Sequence, residues 1–361
     1  MTYDIFDSNA DMLSMPIISV GRNSYEALAS IAEHNAKREI TGYSYIALLN
    51  SEEIAFIENN KAVIDFIEYV FSKQDEPYPA NEILGEDQIQ RLTTKLSSAD
   101  AIFLLVDFRC FESRQIIDEL SQILLSNVFP NVCFTVAIIH HPSVAEGIQM
   151  EAHYRQGKHL LLKHCDCVIE NPTLCESEIG LDDAMITLKH RLEQEKLAQL
   201  KSLQIFNHTL LIPGLVCIDF ADVIAVVRNM GLAAVFSMTL NTDNLTDQGL
   251  QAISSELRKA EASFQREIDA VLVDICSDYL DLDTFDSIAE VICRHFNEGV
   301  RLKIGTSMGQ TLPNQVIVTV LVVTRSLVDS PIALKQSNWA EQKLECLLQD
   351  NSAKKVTDLT S

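Results

Sequence analysis

From Pro16 to about Leu174, short apolar runs alternate with amphipathic stretches, and no other feature of the chain constrains its fold as strongly. Strand, helix, strand is the order of a parallel sheet, because each crossover between parallel strands needs a helix to carry the chain back. The pattern predicts strands at residues 17–20, 45–49, 101–106, 133–139 and 167–169, with helices at 24–36, 87–96 and 112–125. A long polar helix follows at 183–208, carrying a stripe of Leu188, Leu192, Leu197, Leu200 and Leu203. After Pro213 the order changes: a helix, a polar turn, a helix at 250–262, and strands at 270–275, 300–304 and 315–323 with a helix at 282–296 among them. The expected class is α/β: a Rossmann-type parallel-sheet domain at 1–182, a linking helix at 183–212, an α+β domain at 213–326 and a polar tail at 327–361.

Charge and composition exclude several functions. With 28 basic and 51 acidic residues the formal charge is −23, which opposes phosphate backbones and anionic lipid, so neither nucleic acid nor a membrane surface is an expected partner. The first residues carry neither a basic start nor an apolar core, and a cytoplasmic location is expected. Nine scattered cysteines, an odd number often inside apolar runs, fit buried reduced thiols better than disulfides. His153, His159, His164, Cys165 and Cys167 cluster, but without metal-ligand spacing, so no metal site is expected there. The dipeptide His140-His141 has no nucleophile motif nearby and is assigned no catalysis. Only 12 glycines serve the whole chain, which leaves few for any phosphate cradle.

The stretch PGLVCIDFADVIAVVRNMG, residues 213–231, sets Asp219 and Asp222 three residues apart where a helix begins. Val223, Val226, Val227 and Met230 recur at helical spacing, and Gly231 falls where a C′ glycine would end the helix. Two readings of the pair stand. Asp219 is an N-cap and Asp222 a favourable charge at the positive end of the helix dipole, or the two are an acidic site on a rigid platform.

This stretch resembles the catalytic synergy loop of FtsZ, the bacterial tubulin relative. The likeness continues in order through AISSEL (252–257), VLVDICSDYLDLDTF (271–285), IGTS (304–307) and QVIVTVLVVT (315–324). Several collinear matches are far more specific than one short motif. The resemblance implies a tubulin/FtsZ-like fold in which GTP sits in the first domain of one subunit and the next subunit supplies the acidic loop. Asp219 and Asp222 then match the aspartates that orient the attacking water. Cys217 stands where the family has an asparagine, and is expected to be a small apolar substitute in a packed loop.

The nucleotide half of the site departs from the family. Its first glycine-rich turn survives only as Gly21, followed by Tyr25, which would add bulk, and Glu26, which would repel phosphate. The glycine-threonine loop is replaced by residues 107–114, which contain no glycine and cannot form the same nest of amides. Glu146, Gly147 and Asn171 are retained. Met150 replaces a phosphate-facing arginine, Pro172 replaces an acid, and Lys196 and Leu197 stand where the family reads guanine. The implied protein is a cytoskeletal or cell-division pseudo-GTPase that binds no cofactor. It would associate longitudinally with FtsZ filaments or with itself through the acidic loop, at the division site. The alternative is a divergent GTPase forming its own filaments and binding GTP with Mg, in which the Arg109 and Arg114 side chains hold the phosphates in place of the glycine-rich loop; otherwise these arginines pair with nearby acids. A nucleotide-free structural polymer is a third possibility. The tail shows no likeness to the peptide by which FtsZ docks on membrane-attached partners, so no direct tethering is expected.

Overall fold

Along β1 (Met15–Val20) every residue is buried, and sequence neighbours serve opposite faces of the sheet. Ile17 joins one hydrophobic cluster and Ile18 another; Ala47 and Leu49 part from Ile46 and Leu48 in the same way along β2 (Tyr43–Asn50). A strand apolar on both faces must be covered on both. In this computed structural model, which describes residues 13–50, 66–70, 84–109, 113–125, 131–142, 146–171, 188–242, 247–264, 267–309 and 314–325, helices supply both covers. One layer is α1 (Arg22–Lys37) together with α5 (Leu188–Leu211) and α6 (Phe220–Val227). The other is α2 (Glu86–Leu96), α3 (Ser113–Leu125) and α4 (Ile148–His164).

The strands form one ten-stranded sheet. Its order is β3 (Phe66–Val70), β2, β1, β4 (Ala101–Val106), β5 (Phe134–His140), β6 (Cys167–Asn171), β7 (Leu232–Asn241), β10 (Gln315–Thr324), β8 (Ile268–Cys276), β9 (Arg301–Ser307). The run from β3 to β7 is parallel, although β6 meets β7 through only the pairs Val168–Leu232 and Ile169–Ala233. β10 is antiparallel to β7 and β8, and β8 is parallel to β9. A third cluster, under α7 (Asp247–Ser263) and α8 (Leu282–His295), fills this mixed half. The first cluster also takes in Leu272 and Leu321, so α5 and α6 are packed across the junction of the two halves.

Several expectations need correction. β3, α4 and β7 were not predicted. α4 carries Gly157 in its interior, where a Cβ would lie 2.0 Å from the Phe108 ring, so a helix-weakening residue is kept for close packing. Leu197 does not belong to the buried stripe of α5; it is 48% exposed. α6 ends before Met230, and the positive φ falls on Asn229 (56°) rather than Gly231, whose N–H instead donates to the Thr324 carbonyl. Residues 183–187, 112 and the tail lie outside the described residues. Among the described residues, no helix is long and apolar enough to cross a membrane.

Candidate functional site

At the end of β1 the chain turns into α1 through Gly21, whose φ of 88° only glycine adopts readily. The Gly21 N–H donates to Leu48 O and its carbonyl accepts from Tyr25 N. Tyr25 adds no bulk to this turn, contrary to expectation: its side chain is buried in the core cluster behind α1. Glu26 pairs with Lys196 across the gap between α1 and α5, and with Arg22 on its own helix at 3.6 Å.

The segment after β4 is built around Asp107 and Arg109. Asp107 is buried; its carboxylate accepts from Asn23 Nδ2 at 2.6 Å and from Arg109 N at 2.9 Å, and Ser113 Oγ donates to its carbonyl. Burial pushes the Asp107 carboxyl above the usual range. Arg109 extends into the space between α1, α4 and α5. Its Nε and Nη2 donate to Glu146 at 2.7 and 3.0 Å, and its Nη1 and Nη2 donate to Glu195 at 2.8 Å each. Burial works against its charge, but these two forked pairs outweigh it and raise its pKa. Burial raises the Glu195 carboxyl, and His140, buried beside Arg109, is pushed down to about 3. What remains is a cavity of about 20 Å³ lined by Asn23, Asp107, Arg109, His140, Glu195 and Lys196, room for one or two waters.

Phe108 does not enter this cavity. It turns under α4 against Gly157, with its ring edge-on to Tyr154 at 6.0 Å. Arg114 lies apart from Arg109 and donates to Gln156. Gly147 begins α4 with a φ of 90°, nearly the conformation of Gly21, and a Cβ there would meet open space. Asn171 ends β6 with its Oδ1 accepting from Ser202 Oγ at 2.9 Å. Glu146 and Gly147 therefore border the Arg109 cluster, while Asn171 is engaged with α5. Glu195 was not singled out in the sequence; it is 86 residues from Arg109, and only its place beside Lys196 marked it.

The acidic half is held from below by β9. Thr306 N donates to Val216 O at 2.8 Å, Val216 N to Thr306 Oγ1 at 2.9 Å, and Met308 N to Pro213 O at 3.1 Å. The IGTS segment is thus the seat of the acidic loop. Asp219 is the N-cap of α6: its Oδ1 accepts from Asp222 N at 2.6 Å, while its side chain faces solvent. Asp222 is bound by Lys303 Nζ of β9 at 2.5 Å, and that hydrogen bond holds its carboxyl below the ordinary range. Lys303 was also missed in the sequence. Cys217 is exposed, not packed as expected, and Leu215 beside it is 72% exposed. Replacing Asp219 by Ala is expected to cost about 1 kcal/mol through the lost cap. Asp222→Asn, which removes one half-exposed ion pair, is expected to stay within about 0.5 kcal/mol. Denaturant midpoints measure both.

No protein-family model matches the chain. Cell division protein FtsZ of Wigglesworthia glossinidia brevipalpis is 29% identical over 195 residues, 52% of this chain and 48% of that protein. The chain spans about half the length of the curated relatives it matches. Among solved structures, FtsZ of M. jannaschii superposes with a TM-score of 0.66 at 16% identity, covering 87% of this chain and 91% of that one. CetZ2 of Haloferax volcanii, a GTPγS-bound protofilament, gives 0.65 at 15% identity, covering 94% and 100%. The architecture is the FtsZ/tubulin-like fold.

Proposed function

We propose that this FtsZ-like chain is a cytoskeletal subunit that binds no nucleotide of its own and presents Asp219 and Asp222 to the nucleotide-bearing face of a neighbour. The observation that carries this reading is the engagement of Arg109. Arg109, on the segment that follows β4, has its guanidinium donors committed to Glu146 and Glu195. The GTP that the fold family implies does not fit the residues present. The cavity of about 20 Å³ is far below the several hundred Å³ of an ordinary ligand pocket. Its acids are Asp107 and Glu195; a third, Glu146, engages Arg109 from outside the lining, and Lys196 is held by Glu26. A triphosphate would have to break these pairs and then face the acids they release.

The opposite face remains presentable. Asp219 is exposed at the start of α6, and Leu215 in the acidic loop and Met308 on the segment that seats it expose 72% and 61% of their surface. Exposed apolar residues beside a polar site are what a subunit contact uses. The neighbour is an FtsZ-type subunit or a second copy of this chain. The CetZ2 relative, solved as a protofilament, supports that longitudinal mode. Docked in this way, the carboxylates would orient water against a nucleotide held by the partner, while the small, acid-lined cavity beside Gly21 would give the following subunit a poor platform. The outcome is capping or remodelling at one filament end, with the protein brought to the division site by the filament rather than by lipid.

The test is to add substoichiometric protein to GTP-driven FtsZ assembly and follow polymer mass, filament length and GTP turnover. Shorter filaments with altered turnover are expected; no change in any of the three would overturn the proposal. Direct titration of the isolated protein with Mg-GTP separates the alternative. Saturable binding with turnover that rises with protein concentration would establish a divergent GTPase instead.

A further inference from the structure

We propose that His208, Asp274 and Cys276 form a buried zinc site that clamps the end of α5 to β8 beneath the acidic loop. The three side chains come from two elements 66 residues apart in sequence, and their ligand atoms all lie within 4.8 Å of one another. All are buried, Asp274 completely. His208 Nδ1 meets Asp274 Oδ2 at 2.8 Å, and Ser307 Oγ of β9 donates to that same oxygen at 3.0 Å. The other oxygen, Asp274 Oδ1, is buried with no hydrogen-bond partner. A fully buried carboxylate oxygen left unpaired is costly, and a cation is the partner that would satisfy it best.

The donor set names the metal class. One imidazole nitrogen, one carboxylate oxygen and one thiol sulfur suit a borderline-soft, tetrahedral ion, and exclude magnesium and calcium, which want oxygen alone. Bonds of about 2.0–2.3 Å put tetrahedral ligands roughly 3.3–3.8 Å apart, so the more distant atoms of the cluster, up to 4.8 Å apart, must close by about 1 Å and His208 must give up its hydrogen bond to Asp274 Oδ2. Ser307, donating to Oδ2, would then orient the carboxylate as an outer partner so that Oδ1 is the ligand, and a water would complete the fourth position. Binding releases the proton shared between His208 and Asp274, and the thiol proton of Cys276, to solvent. The backbone at Gly309 roofs the sulfur: a Cβ there would lie 2.3 Å from Cys276 Sγ. This site departs from the sequence-based expectation that the chain holds no metal, because its ligands share no local motif.

The location gives the site a purpose independent of the filament proposal. His208 is in the last turn of α5, just before the loop 213–219, and Ser307 directly follows Thr306, which holds that loop. A metal there would stiffen the seat of Asp219 and Asp222.

Cobalt substitution tests the site without requiring any variant to fold. The metal-free 361-residue chain is titrated with Co²⁺ and then Zn²⁺. The expected result is a 1:1 cobalt complex with tetrahedral d–d bands and a thiolate-to-cobalt charge-transfer band, both displaced stoichiometrically by Zn²⁺. Cys276→Ser should lose the charge-transfer band and weaken binding at least tenfold, while Cys217→Ser and Cys293→Ser, which remove exposed thiols, should retain both. Absence of a thiolate band in the unmodified protein would overturn the proposal. So would a band that survives Cys276→Ser or vanishes with either exposed thiol.

Discussion

Arg109→Ala should unfold at a clearly lower denaturant concentration than the parent protein, with a loss of about 3–5 kcal/mol. The reason is what the substitution leaves behind. Glu146 and Glu195 have side chains 16% and 12% exposed, and each accepts a forked pair from the guanidinium; Asp107, 8% exposed, sits 3.6 Å away. Removing the arginine leaves these acids facing one another with little solvent to screen them, so the penalty is that of uncompensated charge, beyond a lost contact. Arg114→Ala provides the control, because its exposed hydrogen bond to Gln156 is worth little and a change within about 0.5 kcal/mol is expected. A triple variant, Arg109→Met with Glu146→Gln and Glu195→Gln, should regain much of the stability by removing the charges together. If Arg109 were instead a free ligand awaiting phosphate, its loss would leave stability almost unchanged and the triple variant would offer no recovery. Urea titrations followed by far-ultraviolet circular dichroism distinguish the two.

How much of this was legible in the sequence depends on the range of each interaction. β4 was predicted at its observed bounds, 101–106, because six consecutive apolar residues can satisfy two covered faces in only one way. The absence of glycine from residues 107–114 was equally visible, since it is a local fact of the sequence. What fills the space was not visible. Tyr25 looked like bulk that would crowd the first turn, yet it packs behind α1, and Phe108 packs under α4. The closure belongs to Arg109 and Glu195, whose partnership depends on how far α5 is carried past β4. β7 escaped because it lies where the parallel half meets the mixed half, with most of its residues only half-buried, so no clean alternation appears. The sequence left two readings of the acidic pair; the structure shows Asp219 as the N-cap of α6, while the tether of Asp222 to Lys303, far downstream, needed the fold. The same holds for His208, Asp274 and Cys276.

Gly214→Ala should have the larger effect on the acidic loop, although it removes no charge and no hydrogen-bonding group. A Cβ at residue 214 would lie 1.8 Å from the Thr306 carbonyl oxygen and 2.4 Å from its carbon. Those are backbone atoms of a paired strand, so no side-chain rotation relieves the clash and the loop must lift from β9. Lifting breaks the two hydrogen bonds between Val216 and Thr306 and the one from Met308 to Pro213. At about 1 kcal/mol each, with the strain of overpacking added, the expected loss is about 3–4 kcal/mol. Asp219 and Asp222 move with the loop, so the effect on FtsZ assembly should fall to background even where the protein remains folded. Asp222→Asn is the complementary variant: it should leave stability nearly unchanged and the loop seated, yet weaken the effect on GTP turnover if the carboxylate acts on a neighbour's nucleotide. Taken together, the pair separates loop position from loop chemistry. A folded Gly214→Ala protein that still shortened filaments as the parent does would place the filament contact elsewhere on the surface. If Asp222→Asn kept full effect while Gly214→Ala lost it, the loop would act by shape, as a cap, rather than through its carboxylate.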